Sequence, residues 1–192
     1  MSAVARLIGV GVGPGDPELL TLKAVRTLQE AAVVAHFAKA GNASNARAIV
    51  AAHLRSGVAE IALHYPVTTE LPRSAPAYCD TMRSFYDASA RAVAAHLDAG
   101  RSVAVICEGD PLFYGSYMHL HVRLAPRYPT DVIAGVTGMS GCWSAVGQWE
   151  LIVSHSLRPY SARPVAPTRS DHHWNSSSLG TLQPRSSPGA AM

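Results

Sequence analysis

Three apolar, β-rich runs in this 192-residue chain each end in a glycine-dense turn, and helix-patterned segments lie between them. The runs are residues 4–12, 102–107 and 130–134, and the turns carry Gly9 to Gly15, Gly109 and Gly135 to Gly141. Two further β-rich runs, residues 32–37 and 58–65, complete a set of strands spaced by helix patterns. Strands alternating with helices predict a mostly parallel sheet with right-handed crossovers. Ligands of such sheets sit beyond the carboxyl ends of the strands, which is where these glycines fall. The expected fold class is therefore α/β, a five-stranded, mostly parallel sheet with flanking helices.

Helices are expected at residues 18–30, 42–55, 75–99, 113–124 and 137–146. Asp16-Pro17 or Thr21 has the chemistry to start the first, and Leu22, Val25 and Leu28 give it an apolar face. Asn42 or Ser44 suits the start of the second. On the long third helix Tyr78, Met82, Phe85, Ser89, Val93 and Leu97 fall near one stripe at helical spacing, and Gly100 stops it.

The pattern stops after Gln148. Residues 149–192 are rich in Ser, Pro, Arg and His, lack lysine and show no sustained periodicity. The expected organisation is an α/β domain over residues 1–148 and a low-complexity, disordered or aberrant tail over 149–192. So sharp a change of character is what an out-of-frame terminus on a truncated domain produces.

Composition excludes several classes. Apolar residues make up 48% of the chain, enough for one ordinary core. No apolar run is long enough to cross a bilayer and no basic-then-apolar leader opens the chain, so the expectation is a soluble, cytoplasmic protein without a membrane partner. The net charge of +3 comes mostly from the tail, where Arg158, Arg163, Arg169 and Arg185 stand against Glu150 and Asp171. No basic stripe is interleaved with aromatics, which speaks against nucleic acid. Cys79, Cys107 and Cys142 lie far apart and are expected to be buried free thiols, and Cys107 and Cys142 lack an activating partner.

The motifs narrow the chemistry. Gly9, Gly11 and Gly13 are spaced two apart, and Pro14 occupies the last glycine position of a dinucleotide fingerprint. Phe37 and Lys39, instead of an acid, end the second strand, and no Gly-Lys-Ser/Thr follows the loop. Neither a Rossmann nor a P-loop site is expected. The rigid Gly13-Pro14-Gly15-Asp16-Pro17 segment is suited to wall a substrate trough, or simply to turn the chain. At the fourth strand Gly109-Asp110-Pro111 is equally suited to bind a ligand or to satisfy nearby amides through Asp110. Gly135-Val136-Thr137-Gly138-Met139-Ser140-Gly141 shifts the balance: two adjacent glycine-rich strand ends make a shallow slot of backbone groups. With no lysine around it, that slot suits a neutral or cationic adenosine-type ligand better than a triphosphate. His119 and His121, two apart, point to different helix faces and are expected to be ordinary helix histidines, with no metal site.

Together, Gly11-Val-Gly-Pro-Gly-Asp16, Cys107-Glu-Gly-Asp-Pro-Leu-Phe-Tyr-Gly-Ser116, Tyr65-Pro-Val-Thr-Thr69 and Gly135-Val136-Thr137-Gly138 resemble the tetrapyrrole methyltransferases. The likeness covers residues 4–148. It implies S-adenosylmethionine as cofactor, a tetrapyrrole as substrate, a homodimer where the fold is complete, and two α/β domains with the cofactor in the cleft between them. Of these, the second domain is expected to be missing or truncated, since residues 149–192 do not resemble it. By position, the resemblance implies that Gly109, Asp110 and Pro111 line the cofactor pocket. Phe113 and Ser116 flank it, and Thr137, Gly138 and Met139 contribute from the next strand end. Gly13, Pro14, Gly15 and Asp16 face the tetrapyrrole. The catalytic base stays open among His36, Glu108 and Tyr114, and Arg73 or Arg123 is either a clamp for substrate carboxylates or a solvated surface charge.

Overall fold

The computed structural model describes residues 4–147, all within the compact unit Met1–Leu151. The calls on the tail, residues 149–192, lie outside the described residues. Five strands form one sheet: β1 (Leu7–Gly11), β2 (Val33–Lys39), β3 (Ala59–Tyr65), β4 (Val103–Cys107) and β5 (Thr130–Ile133). Their order is β3-β2-β4-β1-β5 and every pairing is parallel. The helices are α1 (Leu22–Glu30), α2 (Asn45–Ile49), α3 (Pro76–Asp98), α4 (Tyr117–Leu124) and α5 (Gly138–Val146).

Each face of the sheet buries its own core. Leu7, Val33, Ala35, Leu63, Val103, Val105 and Cys107 pack against α3 (Ala90, Val93, Ala94, Leu97) and α4 (Tyr117, Leu120, Leu124). Val10, Val12, Val34, Ala104, Ile106 and Ile133 pack against α1 (Ala24, Leu28) and α2 (Ala46, Ile49). All five residues of β4 are buried, as a central parallel strand covered on both faces requires. Fully burying each such Val, Leu or Ile contributes roughly 1.5–3 kcal/mol.

Sequence chemistry sets the helix starts. Asp16 caps a 3-10 turn at Pro17–Leu19 by accepting from the Glu18 amide, and Thr21 caps α1 by accepting from Ala24 N–H, so both expected starts are used in succession. Ser44 caps α2. Three expectations are corrected. Leu22 is 80% exposed, and the buried residues of α1 are Ala24 and Leu28. The expected helix 42–55 reduces to α2 and a 3-10 turn at Ala51–His53, because the chain bends at Val50, which is fully buried. Helix α4 starts at Tyr117, not at 113, because residues 110–115 make a tight turn.

Of the cysteines, Cys107 is buried, and burial pushes its thiol pKa up to about 12. Cys79 and Cys142 are exposed, against expectation. Among the described residues, no helix is long and apolar enough to cross a membrane.

Candidate functional site

The chain leaves β1 toward the α1 face and leaves β4 toward the opposite, α4 face. Neighbouring strands whose connections diverge in this way open a crevice at their carboxyl ends, the favoured ligand position in parallel α/β sheets. The two glycine-rich loops meet there. The Gly109 amide donates to Gly13 O at 2.8 Å, and the two residues form an isolated antiparallel bridge. Both have positive φ, 79° at Gly13 and 66° at Gly109, a conformation that glycine adopts without strain.

The third loop joins from the other side of β1. Strands β4 and β5 are not neighbours as expected, since β1 lies between them. Their loops touch because Gly11, at the end of β1, has no side chain. A Cβ at Gly11 would lie 2.6 Å from both Gly109 O and Gly135 N, and one at Gly135 only 2.1 Å from Gly109 O. The expected backbone slot is thus closed by direct contact at its floor. Pro14 packs where a side chain at Gly141 would stand, 2.4 Å from the position of its Cβ, which brings the first loop onto α5. Gly9 serves packing instead: a Cβ there would lie 2.6 Å from the ring of the fully buried Tyr117.

Asp110 joins two loops. Its Oδ1 accepts from Leu112 N–H at 2.8 Å and its Oδ2 from Gly135 N–H at 3.1 Å. Of the two roles open to Asp110 in the sequence, the structure shows the amide-satisfying one. Thr137 caps α5, accepting from the Ser140 amide. Beyond the turn, Tyr114 has φ 57°, a conformation that costs an aromatic residue of order 1–3 kcal/mol and clusters at functional sites. Leu112, Phe113, Tyr114, Met139, Trp143 and Val146 leave an apolar edge exposed around these loops. A Cβ at Gly138 would meet nothing within 4 Å. The loop residues 11–16, 108–116 and 134–140 include Asp16, Glu108 and Asp110 and not one Lys or Arg.

The structure thus brings Gly13, Pro14, Gly109, Asp110, Pro111, Thr137, Gly138 and Met139 to one edge. Pro111 is buried in the turn, and Phe113 is half-exposed beside it. Asp16 and Gly15 are exposed in the same loop, with Asp16 committed to its cap. Ser116 is committed too, since its Oγ lies 2.5 Å from Tyr65 Oη and 3.1 Å from Tyr86 Oη. These tyrosines are support residues that sequence reasoning missed. Burial raises the pKa of both phenols. Tyr86 stood one residue beyond the expected helical stripe, and nothing local pointed Tyr65 at Ser116.

Other candidates separate from this edge. Arg123 is held by Asp87 at 2.7 Å and by His119 O, so it is a structural cation, while Arg73 is exposed in the β3–α3 loop. His119 stacks on Tyr86, and His121 Nδ1 lies 3.2 Å from Tyr117 Oη. Among the described residues no three His, Cys, Asp or Glu side chains gather as a metal site would need. Glu108 and Tyr114 are exposed at the edge.

His36 lies instead beside Glu60, at 3.9 Å, and Glu60 is paired with Arg47. Its Nδ1 is buried without a partner, and desolvation lowers its pKa, with Glu60 opposing and Arg47 and His64 assisting. A histidine with a depressed folded pKa stabilises the protein above its unfolded value of about 6.5, and that contribution is lost as pH falls through this value toward the folded one. Glu60, lowered by Arg47, acts only below the carboxylate range and does not mask the effect. Thermal melts between pH 7.5 and 5.5 are therefore expected to show falling stability, and His36→Gln is expected to make that slope shallower, the remainder coming from His96 and His119, whose pKa values burial also lowers. An unchanged slope in the variant would contradict this assignment.

Known proteins are similar to this chain in sequence and fold. Residues 6–157 match the family Tetrapyrrole (Corrin/Porphyrin) Methylases. The chain is 63% identical over 144 residues to a Precorrin-2 C(20)-methyltransferase of Sinorhizobium sp., spanning 75% of this chain and 59% of that protein. It is 49% identical over 146 residues to the Cobalamin biosynthesis protein CobIJ of Mycobacterium tuberculosis, over 76% of this chain and 29% of that one. The uroporphyrin-III-C-methyltransferase structure from Thermus thermophilus superposes with a TM-score of 0.53 and 28% identity, covering 76% of this chain and 54% of that chain. The chain thus spans less than two thirds of the length of each of these relatives. With the family match reaching across all three glycine-rich loops, the chain belongs to the tetrapyrrole methylases.

Proposed function

We propose that this chain carries out methyl transfer from S-adenosylmethionine to C20 of precorrin-2, or its cobalt form, in cobalamin biosynthesis, and that the carboxyl edge of β1, β4 and β5 lines the cofactor site. The observation that carries the cofactor reading is the edge itself: three interlocked loops offer backbone groups and three acidic side chains without a single cation. Such a surface disfavours phosphate and favours a cationic or neutral nucleoside. The ring position is supported by the 63% identity to the Sinorhizobium protein.

When bound, S-adenosylmethionine supplies a methyl group activated by its positively charged sulfur. Gly109, Asp110 and Pro111 would hold it from β4, with Thr137, Gly138 and Met139 opposite. The open space over Gly138 is the room such a ligand needs, and Asp110 serves by fixing the two loops to each other. Gly13, Pro14, Gly15 and Asp16 would face the tetrapyrrole from the β1 loop. Rigid loops of this kind act by orientation, which can supply about 7–11 kcal/mol of a barrier, and by excluding water. The exposed Phe113, Met139 and Trp143 give that exclusion an apolar surface to close against.

Incubation of the full chain with precorrin-2 and methyl-labelled S-adenosylmethionine tests the reaction. The expected product carries one labelled methyl at C20. Label at another carbon, or none in folded protein, would contradict the proposal.

A further inference from the structure

Ser116 stands at the N-cap position of α4, yet its side chain makes no capping hydrogen bond. A serine there ordinarily accepts from an amide of the first turn. Its hydroxyl is instead placed between two phenols, Tyr65 Oη at 2.5 Å and Tyr86 Oη at 3.1 Å. Tyr65 is the last residue of β3, and Tyr86 lies midway along α3, so one oxygen joins the end of β3, the middle of α3 and the start of α4. The rings are themselves fixed. Tyr65 stacks on Phe37 at 5.5 Å and packs against Phe85 at 5.1 Å, and Tyr86 stacks on His119 at 4.1 Å with Phe85 tilted beside it. Each phenol is therefore aimed before it bonds, and little side-chain freedom is lost in aiming it.

Ser116 also ends the turn that begins at Gly109. That turn is tied at its start by Asp110, to Leu112 N–H and Gly135 N–H. At its far end the side-chain ties are the two phenols. Between the anchors lies Tyr114, 93% exposed and in the left-handed region. A strained residue keeps its conformation only where both flanks are held.

We propose that Tyr65 is a positioning residue: with Tyr86 it holds the Ser116 hydroxyl, and so fixes the 109–116 turn in the shape that receives the adenosyl ligand. The effect on the ligand rests on the function proposed above, but the clamp on the turn does not.

The test is Tyr65→Phe in the full chain, which keeps the ring and its stacking and deletes only the hydroxyl. Two readouts are taken, residue-resolved hydrogen exchange and calorimetric affinity for S-adenosylhomocysteine. Loss of one such hydrogen bond is expected to speed exchange of the amides from Leu112 to Met118 by up to about tenfold, leaving β2 and β4 unchanged, and to weaken binding by a similar factor. Ser116→Ala is expected to reproduce both effects, and the double variant to add little. Unchanged exchange in the turn, or a uniform rise across the sheet, would overturn the clamp. A selective rise with unaltered affinity would overturn its role in positioning for the ligand. If the wild-type chain does not bind S-adenosylhomocysteine, the function proposed above fails, and the exchange result still decides the clamp.

Discussion

Gly135→Ala is expected to lower the melting temperature by about 10 °C or more, a loss of about 3–5 kcal/mol for a chain of this size. The added Cβ would sit 2.1 Å from Gly109 O and 2.8 Å from Gly11 Cα. All the atoms it meets are backbone, so no side chain can rotate away. Relief requires that the β4 and β5 loops part over β1, which breaks the Asp110 link to the Gly135 amide as well. Gly138→Ala is the control. It lies three residues on, with nothing within 4 Å of the added methyl, and a melting change within about 2 °C is expected. Comparable melts for the two variants would contradict the packing assigned to these loops.

Asp110→Ala is expected to cost about 2–3 kcal/mol, since an ionised carboxylate accepting from amides contributes more than a neutral partner. It removes the acceptors of Leu112 N–H and Gly135 N–H together. The β4 turn then loses its tie to the β5 loop, and affinity for S-adenosylhomocysteine is expected to fall at least about tenfold with it. Asp110→Asn is expected to be intermediate, because an amide offers one acceptor and turns a donor toward the other N–H. Thermal melts and calorimetry on the same samples separate two accounts. Loss of both stability and affinity supports the loop-joining role. Loss of affinity at unchanged stability would mean that Asp110 acts on the ligand directly.

Strands β1, β4 and β5 were legible because they are short apolar runs closed by glycine, and the long α3 because its stripe persists over more than five turns. Local patterns failed where tertiary packing decided. Phe113 and Tyr114 extend the apolar pattern of α4, yet Gly115 sits where any side chain would lie 2.7 Å from Pro111 O, and the chain turns there instead of coiling. The region of the site was legible from the glycines, but not the assignment of its parts. Nothing in Gly109-Asp110-Pro111 distinguishes a carboxylate that binds ligand from one that bridges loops; the amide of Gly135, 25 residues away, makes the difference. The Ser116 link to Tyr65 spans 51 residues and has no sequence period at all. A histidine on a strand can face either way, and His36 lies on the face that carries Glu60.

The most direct test of the central claim, that the joined β1, β4 and β5 loops form an adenosyl site, is calorimetric titration of the purified full chain with S-adenosylhomocysteine. Saturable binding in the micromolar range, weakened by Asp110→Ala, is the predicted result. Absence of heat from a chain shown to be folded by its cooperative melt would contradict it.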